Sequence, residues 1–236
     1  MNTAALFCMA ALGTYYFLRK REEKIKALIC KAAATSLPLF LLIWNFETAI
    51  DAGPLPYWCT AAGIVFYMAA DVLLECRFIP GAVCFAAGHV SMAAGFAAGV
   101  RKEILSGIRE FPGVSGHAGA AAWTAALSLL FIGAAYAALH RYFPYLKKKK
   151  VLTPAAGYIT VLSIMAALAV TDGVQKGMLS GNWNAWIPAA GGICFVISDI
   201  LLGQNRFGKR RSRKKGAAVL ILYYLSVYLF SMRLWF

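Results

Sequence analysis

The sequence predicts an all-α fold: a polytopic membrane bundle of eight transmembrane helices that forms a single transmembrane domain over residues 1–236. Two observations support this class. The chain is 61% hydrophobic and only 14% charged, which is too apolar for a surface in contact with water. The apolar residues also form long runs without charge, and runs of about 18 residues or more are typical of membrane-spanning helices.

Eight such runs follow one another, joined by short connections. The first run lacks a basic start and a small-residue cleavage site, so we expect a retained helix and not a signal peptide. The longest connections, at about 100–117 and 171–184, are expected to be loops on the same side of the membrane. The predicted spans cover residues 3–18, 28–46, 55–74, 79–99, 118–139, 151–170, 185–203 and 216–235.

The lysines and arginines predict the orientation of these spans. Eighteen of the 24 fall in connections on one side of the membrane, whereas Lys31 lies inside the second span. Cytoplasmic loops carry the excess of positive charge, so we expect the eighteen in the cytoplasm and both termini outside it. The net charge of +14 therefore reflects topology and anionic headgroups, and no motif predicts nucleic-acid binding. The residues expected on the outer side are Arg101, Lys102, Arg109, Lys176 and Arg233.

Two aspartates stand inside predicted spans, in similar phrases. The chain reads G-I-V-F-Y-M-A-A-D-V-L-L-E-C-R-F up to residue 78 and G-G-I-C-F-V-I-S-D-I-L-L-G-Q-N-R-F up to residue 207, which aligns Asp71 with Asp199. An ionised carboxylate among apolar helices costs at least ~2.5 kcal/mol, so such residues are functional-site candidates. The phrases occupy the third and seventh spans, which allows a four-plus-four parallel repeat. We predict that both carboxylates lie in one site.

Other polar residues of the predicted spans fall at the same depth, in the inner third of the membrane, at a rise of about 1.5 Å per residue. Each also has a structural explanation, such as a lysine that snorkels to the headgroups or tyrosines that anchor a helix at the interface. The residues expected to line the site are Lys31, His89, Asn205, Tyr223 and Tyr224.

The predicted site suits acid–base chemistry. Two buried carboxylates cannot both ionise freely, so one is expected to donate a proton and the other to accept one. Acid-catalysed C–O cleavage divides the work in this way. The cysteines form no C-x-x-C pair and the three histidines are far apart, so we expect no cofactor and no metal.

The sequence resembles the YhhN family, also called the lysoplasmalogenase family, over nearly the whole chain. The most specific match is G-x-x-x-F-x-x-S-D-x-x-L-x-x-x-x-F, which runs from Gly191 to Phe207. The other matching positions are Lys31 and Pro38, residues 70–74, residues 78–81, His89, Pro154, Tyr158, residues 165–168, and Tyr223 with Tyr224.

This resemblance implies hydrolysis of the vinyl ether bond of a lysoplasmalogen. A lysophospholipid substrate taken from the surrounding membrane lipids would yield a fatty aldehyde and glycerophosphocholine or glycerophosphoethanolamine. Asp71 and Asp199 would be catalytic, one as general acid and the other as the group that stabilises the cation and activates water. Arg77 and Arg206 would bind the phosphate, and Lys31 would orient the carboxylates. The expected location is the inner membrane of a bacterial cell.

Two other functions are compatible with the same residues, and a third is disfavoured. A proton-coupled transporter of lipids or small molecules would use the aspartates as a relay. A related hydrolase would act on another ether or ester lipid, since membership of a family does not determine the bond that is cleaved. An intramembrane aspartyl protease is disfavoured, because two alanines precede Asp71 where G-x-G-D is expected.

Overall fold

The computed structural model describes residues 3–105, 116–180, 183–208 and 210–234. Every regular element in these ranges is helical, which confirms the all-α class. Short 3₁₀ turns at His140–Tyr142 and Trp183–Trp186 precede two of the helices. The α-helices are α1 (Thr3–Arg19), α2 (Lys24–Trp44), α3 (Phe46–Asp51), α4 (Pro54–Cys76), α5 (Phe78–Leu105), α6 (Gly116–Leu139), α7 (Phe143–Lys148), α8 (Leu152–Ser180), α9 (Ile187–Phe207) and α10 (Arg213–Met232).

Seven segments of the described chain are long and apolar enough to cross a membrane, as expected of an integral membrane protein. They correspond to seven of the eight predicted spans. The remaining span, 3–18, forms the 17-residue helix α1. That α1 crosses the membrane stays a prediction, as do the parallel repeat and the placement of the termini. The seven segments are Lys24–Trp44, Pro54–Cys76, Phe78–Arg101, Gly119–Lys148, Leu152–Gly177, Trp183–Phe207 and Arg213–Met232.

Helices α4 and α5 form a tight hairpin that sets the geometry of one end of the bundle. Only Arg77, in an extended conformation, separates them. A Cβ atom on Gly81 would lie 2.5 Å from the backbone nitrogen of Leu74, and one on Gly88 would lie 2.5 Å from the Tyr67 ring. Small residues therefore allow the two backbones to approach closely, as is common between membrane helices.

The remaining helices pack around this hairpin. Helix α5 packs on α8, α8 on α9 and α9 on α10, while α2 contacts α4 and α10, and α1 contacts α2. Large side chains fill the core between them, and many other large apolar side chains are exposed, as on a surface that faces lipid. The largest fully buried side chains include Tyr67, Phe96, Phe195, Tyr228 and Phe230.

The prediction of a loop at 171–184 is wrong over most of that range, because α8 continues to Ser180. Its polar residues suggested a loop, yet two of them, Asp172 and Lys176, pair with each other along the helix. Lys176 donates to Asp172 one turn away at 3.3 Å. Arg233, expected on the outer surface, is also buried, with 4% of its area exposed. The middle of the other predicted loop, 100–117, lies outside the described residues.

The connection between α9 and α10 is closed by local hydrogen bonds. Asn205 Oδ1 accepts from the backbone N–H of Ser212 at 2.7 Å. The Ser212 hydroxyl oxygen then caps α10 by accepting from the backbone N–H of Lys215 at 3.4 Å. The Lys215 ammonium group donates to Gln204 at 2.8 Å. These contacts determine where α10 begins, and they occupy Asn205, which was expected to line the site.

Candidate active site

The predicted polar residues gather at one end of the bundle, in two neighbouring groups. We call the first the Asp71 cluster; it lies where α1, α2, α4 and α10 meet. We call the second the Asp199 cluster; it lies where α4, α5, α8 and α9 meet. The Asp71 cluster contains Tyr16, Lys31, Thr35, Asp71, Glu75, Tyr223 and Tyr224, and the Asp199 cluster contains Tyr67, His89, Tyr158 and Asp199.

Asp71 is sealed inside its cluster and fully partnered. It is 1% exposed, and the Lys31 ammonium nitrogen lies 3.2 Å from its Oδ1. Thr35 and Tyr223 donate their hydroxyl hydrogens to Oδ2, the latter at 2.9 Å. Both carboxylate oxygens are therefore neutralised or hydrogen-bonded, as a buried charge requires. This arrangement suits an ion pair that holds α2, α4 and α10 together.

A second acidic residue shares the charge of Lys31. Glu75 lies one turn after Asp71 on α4, and its Oε1 is 3.8 Å from the Lys31 ammonium nitrogen. Tyr16, from α1, donates a hydrogen bond to Glu75, and Tyr224 donates to the Lys31 carbonyl oxygen at 3.5 Å. Helix α1 thus packs over this cluster and covers it.

Asp199 has a different environment, with tyrosine and histidine partners. Tyr158 donates a hydrogen bond to its Oδ2. His89, which is fully buried, places Nε2 3.1 Å from the Tyr158 hydroxyl oxygen and Nδ1 2.9 Å from that of Tyr67. His89 Nε2 is also 3.9 Å from Asp199 Oδ2. A continuous chain of hydrogen bonds therefore runs from Tyr67 to Asp199.

The direction of this chain follows from its last link. Since Tyr158 gives its single hydroxyl hydrogen to Asp199, its oxygen accepts from His89 Nε2–H. In a neutral imidazole the Nδ1 atom then accepts from Tyr67. This assignment of hydrogens orients Asp199 through Oδ2 and leaves its Oδ1 without a protein partner among the described contacts.

A layer of aromatic rings separates the two carboxylates. The Tyr223 ring centroid lies 5.6 Å from that of Phe85, 5.6 Å from that of Phe195 and 6.4 Å from that of Tyr67. The structure thus brings both aspartates to the same end of the bundle but gives them separate partners. The two clusters meet through ring contacts, not through a shared hydrogen bond.

A cavity of about 390 Å³ opens beside the Asp199 cluster. It lies between α5, α8 and α9 and extends to α6 and α7, and Asp199 and Tyr158 form part of its wall. Asp199 has 10% of its side chain exposed there. The rest of the wall is almost wholly apolar, and Asp71 is not part of it. Typical apolar wall residues are Phe78, Val83, Ala135, Leu139, Ala155 and Leu202.

The two predicted phosphate-binding arginines lie in different places. Arg206 lies about two turns beyond Asp199 on α9 and lines the cavity. Its guanidinium carbon lies 5.0 Å from the Phe78 ring centroid. Its side chain is otherwise exposed. Arg77 is exposed at the α4–α5 connection and does not line the cavity.

The site can perform proton transfer next to an apolar ligand. A carboxyl group held by Tyr158 at the wall of an apolar cavity can donate or accept a proton. In the described ranges, no three His, Cys, Asp or Glu side chains lie together as a metal site would need.

Sequence reasoning missed several of the partners. Glu75 follows Asp71 by four residues, and this spacing puts both on one helix face, so the sequence carried a signal for it. Tyr158 was noted only as a matching motif position. Nothing in the local sequence around Thr35, Tyr67 or Tyr16 identifies them as hydrogen-bond donors to acidic residues or to His89, because their partners belong to other helices.

Comparison with known proteins identifies the family. No curated protein and no solved structure has a significant match to the chain. The model of the YhhN family matches residues 27–234, which include both clusters apart from Tyr16. The chain therefore belongs to the YhhN family.

Proposed function

We propose that the protein is a membrane-embedded hydrolase that cleaves the vinyl ether bond of lysoplasmalogens, with Asp199 as its acid–base group. The observation that carries this proposal is the position of Asp199: a carboxyl group oriented by Tyr158 at the wall of an apolar cavity, with Arg206 on the same wall. Membership of the YhhN family, whose known role is lysoplasmalogenase activity, supports the same reaction.

The cavity supports a substrate with one alkyl chain. Its 390 Å³ volume lies near the small end of the about 300–1,000 Å³ range of ligand sites. Apolar walls accommodate the chain, while the guanidinium of Arg206 is a suitable partner for a phosphate. A lysophospholipid has this combination of a single chain and one phosphate. The vinyl ether bond lies between the two and would face Asp199.

Cleavage begins with proton transfer to carbon. The protonated carboxyl of Asp199 donates to the second carbon of the vinyl ether, and the first carbon becomes an oxocarbenium ion. Water adds to this carbon while the carboxylate accepts a proton from the water, which gives a hemiacetal and restores the acid. Transfer of a proton to the ether oxygen and loss of the hydroxyl proton then break the C–O bond. The products are a fatty aldehyde and the glycerophospho alcohol, and one water is consumed.

We assign different roles to the other residues of the two clusters. Tyr158 holds Oδ2 of Asp199, and His89 holds Tyr158, so both act as positioning residues. Asp71, expected from the resemblance to act in catalysis, stabilises the helix packing through Lys31 and positions Tyr223 against the aromatic layer.

The transporter hypothesis requires a path from Asp199 to the other end of the bundle. Fully buried side chains occupy the core of the bundle, among them Met92, Phe96, Met165 and Phe230. A second cavity of about 760 Å³ lies between α5, α6 and α8, but Asp199 is not part of its wall. The two cavities share no lining residue among the described residues, which favours a reaction carried out from one side.

Aldehyde release from lysoplasmenylethanolamine by the purified protein tests the proposal. The saturated ether analogue is the matched substrate control, because it lacks the carbon–carbon double bond that accepts the proton. In D₂O, the aldehyde should carry one deuterium on the carbon next to the carbonyl, measured after rapid reduction to the alcohol. The wild type should release labelled aldehyde, and Asp199→Asn should release none. Absence of aldehyde from folded wild-type protein, or full activity of Asp199→Asn, would refute the mechanism.

A further inference from the structure

A second group of buried polar side chains lies at the opposite end of the bundle. We call it the distal cluster; it consists of Thr60, Asp172, Gln175 and Arg233. Thr60 is 11 residues from Asp71 on α4, which is about 16 Å along the helix axis. Asp172 is 0% exposed, Arg233 4% and Gln175 7%. Neither of the two clusters described above contains any of these residues.

Direct contacts satisfy only part of this cluster. Arg233 donates from Nη2 to the Thr60 hydroxyl oxygen at 3.1 Å, and its guanidinium carbon lies 3.9 Å from the Phe96 ring centroid. Lys176 donates to Asp172 Oδ2 at 3.3 Å. The same ammonium nitrogen lies 3.2 Å from Oδ1, at ion-pair distance but without the geometry of a hydrogen bond.

Three buried polar atoms of the cluster have no hydrogen-bond partner among the described residues. They are Asp172 Oδ1, Gln175 Oε1 and Arg233 Nε. The first two are acceptors and the third is a donor. Native proteins rarely leave such buried atoms unpaired, since each loses its hydrogen bonds to solvent without replacement. The cluster therefore lacks a partner that can donate twice and accept once.

Two charged members of the cluster lie against the same helix. Asp172 is the acidic residue whose charge acts on Arg233, and both side chains lie against the glycine face of α5. A Cβ atom on Gly95 would lie 2.7 Å from Arg233 Nη2, and one on Gly99 would lie 2.9 Å from Asp172 Oδ1. These glycines are four residues apart, about 6 Å along the helix. Asp172 and Arg233 therefore lie against the same face of α5, about one helical turn apart.

We propose that the distal cluster binds an ordered water molecule. Water donates to Asp172 Oδ1 and Gln175 Oε1 and accepts from Arg233 Nε–H, which satisfies all three atoms at once. A metal cation would be repelled by Arg233 and could not accept its hydrogen, and a halide could not donate to the two acceptors. Buried waters typically make about three hydrogen bonds to groups that are otherwise unsatisfied. This water joins α8 to the segment that follows α10.

Whether the thermal midpoint falls or rises on substitution of Gln175 tests this proposal. Gln175→Met preserves the length of the side chain but removes the amide acceptor. If a water bridges the cluster, the variant loses a hydrogen bond, and the thermal midpoint in detergent should fall by about 2–4 °C, the shift expected for loss of one hydrogen bond in a protein of this size. If Gln175 Oε1 is unpaired, the same change removes an unsatisfied atom and the midpoint should rise or stay constant.

Gln204→Met is the matched control, because Gln204 Oε1 has a direct partner in Lys215 at 2.8 Å. Its midpoint should fall, which calibrates the loss of one amide hydrogen bond. An experimental density map in which other ordered waters are visible tests the presence of this water directly. Density between Asp172, Gln175 and Arg233 is expected there. An empty site in such a map, or a Gln175→Met variant at least as stable as the wild type, would overturn the proposal.

Discussion

Neutralising the two aspartates should damage the protein in different ways. Asp71 is sealed and ion-paired with Lys31, whereas Asp199 lines a cavity and receives one hydrogen bond from Tyr158. We expect Asp71→Asn to lose stability and to retain turnover in the folded fraction. We expect Asp199→Asn to remain stable and to lose turnover.

The structure gives a magnitude for the first variant. Asp71→Asn leaves Lys31, 7% exposed, without its nearest negative charge. Breaking a buried pair in this way costs about 3–5 kcal/mol. Glu75, with Oε1 3.8 Å from the ammonium nitrogen, compensates in part, so we take the lower limit of about 3 kcal/mol. At about 2–4 °C per kcal/mol for a chain of this size, the thermal midpoint should fall by about 6–12 °C.

Asp199→Asn should lower the stability of the protein much less than Asp71→Asn does. The asparagine carbonyl still accepts from Tyr158, and the nearest basic nitrogen, His89 Nε2, lies 3.9 Å from the carboxylate. A change of about 1 kcal/mol or less is expected, which corresponds to about 4 °C or less. Loss of a general acid, by contrast, lowers turnover by at least about 10²-fold.

Thermal unfolding in detergent and aldehyde release at a temperature where both variants are folded measure the two effects. The double variant Lys31→Met with Asp71→Asn is the internal control, because it removes both charges and keeps the acceptor for Thr35 and Tyr223. It should be more stable than either single variant. Equal destabilisation by both aspartate changes, or a stable Asp71→Asn variant with no turnover, would refute this division of roles.

Three further predictions concern the cavity and the hairpin. Arg206→Ala should raise the Michaelis constant for the lysolipid several-fold with little change in turnover number, while Arg77→Ala, outside the cavity wall, should change neither; steady-state kinetics decides. Ala155→Phe should block the cavity and lower activity without loss of fold, shown by an unchanged elution profile. Gly81→Ala should lower the thermal midpoint markedly, because its Cβ would meet the α4 backbone, whereas Gly133→Ala, with nothing within 4 Å, should not.

Seven of the eight predicted spans correspond to helices long and apolar enough to cross a membrane. The prediction works because membrane helices must pair their backbone polar groups within long apolar segments. The same reasoning predicted that the sixth span ends at residue 170, whereas α8 continues for ten more residues. Asp172, Gln175 and Lys176 looked like loop residues, since hydropathy cannot detect partners that come from elsewhere in the chain. The charge of Asp172, for example, interacts with Arg233, at the far end of the sequence.

The sequence predicted which residues lie at the same end of the bundle. It did not predict which of them are in contact. Depth along each span placed Lys31, Asp71, His89 and Tyr223 at one end of the bundle, because helix rise is regular. The depth of a residue does not give the rotation of its helix about the helix axis. That rotation determines that Lys31 faces Asp71 and that His89 faces Asp199.

Similar phrases around the two aspartates therefore encode similar depth and not similar partners. Helix α4 presents Asp71 to Lys31 and Tyr223, while α9 presents Asp199 to Tyr158 and the cavity. An ion-paired, enclosed carboxylate has both oxygens occupied by protein partners and has no access to a ligand. A carboxyl group with one tyrosine donor and an apolar neighbourhood can carry a proton to a bound molecule. This difference in partners, which no comparison of the two phrases reveals, is the reason to assign the acid–base step to Asp199.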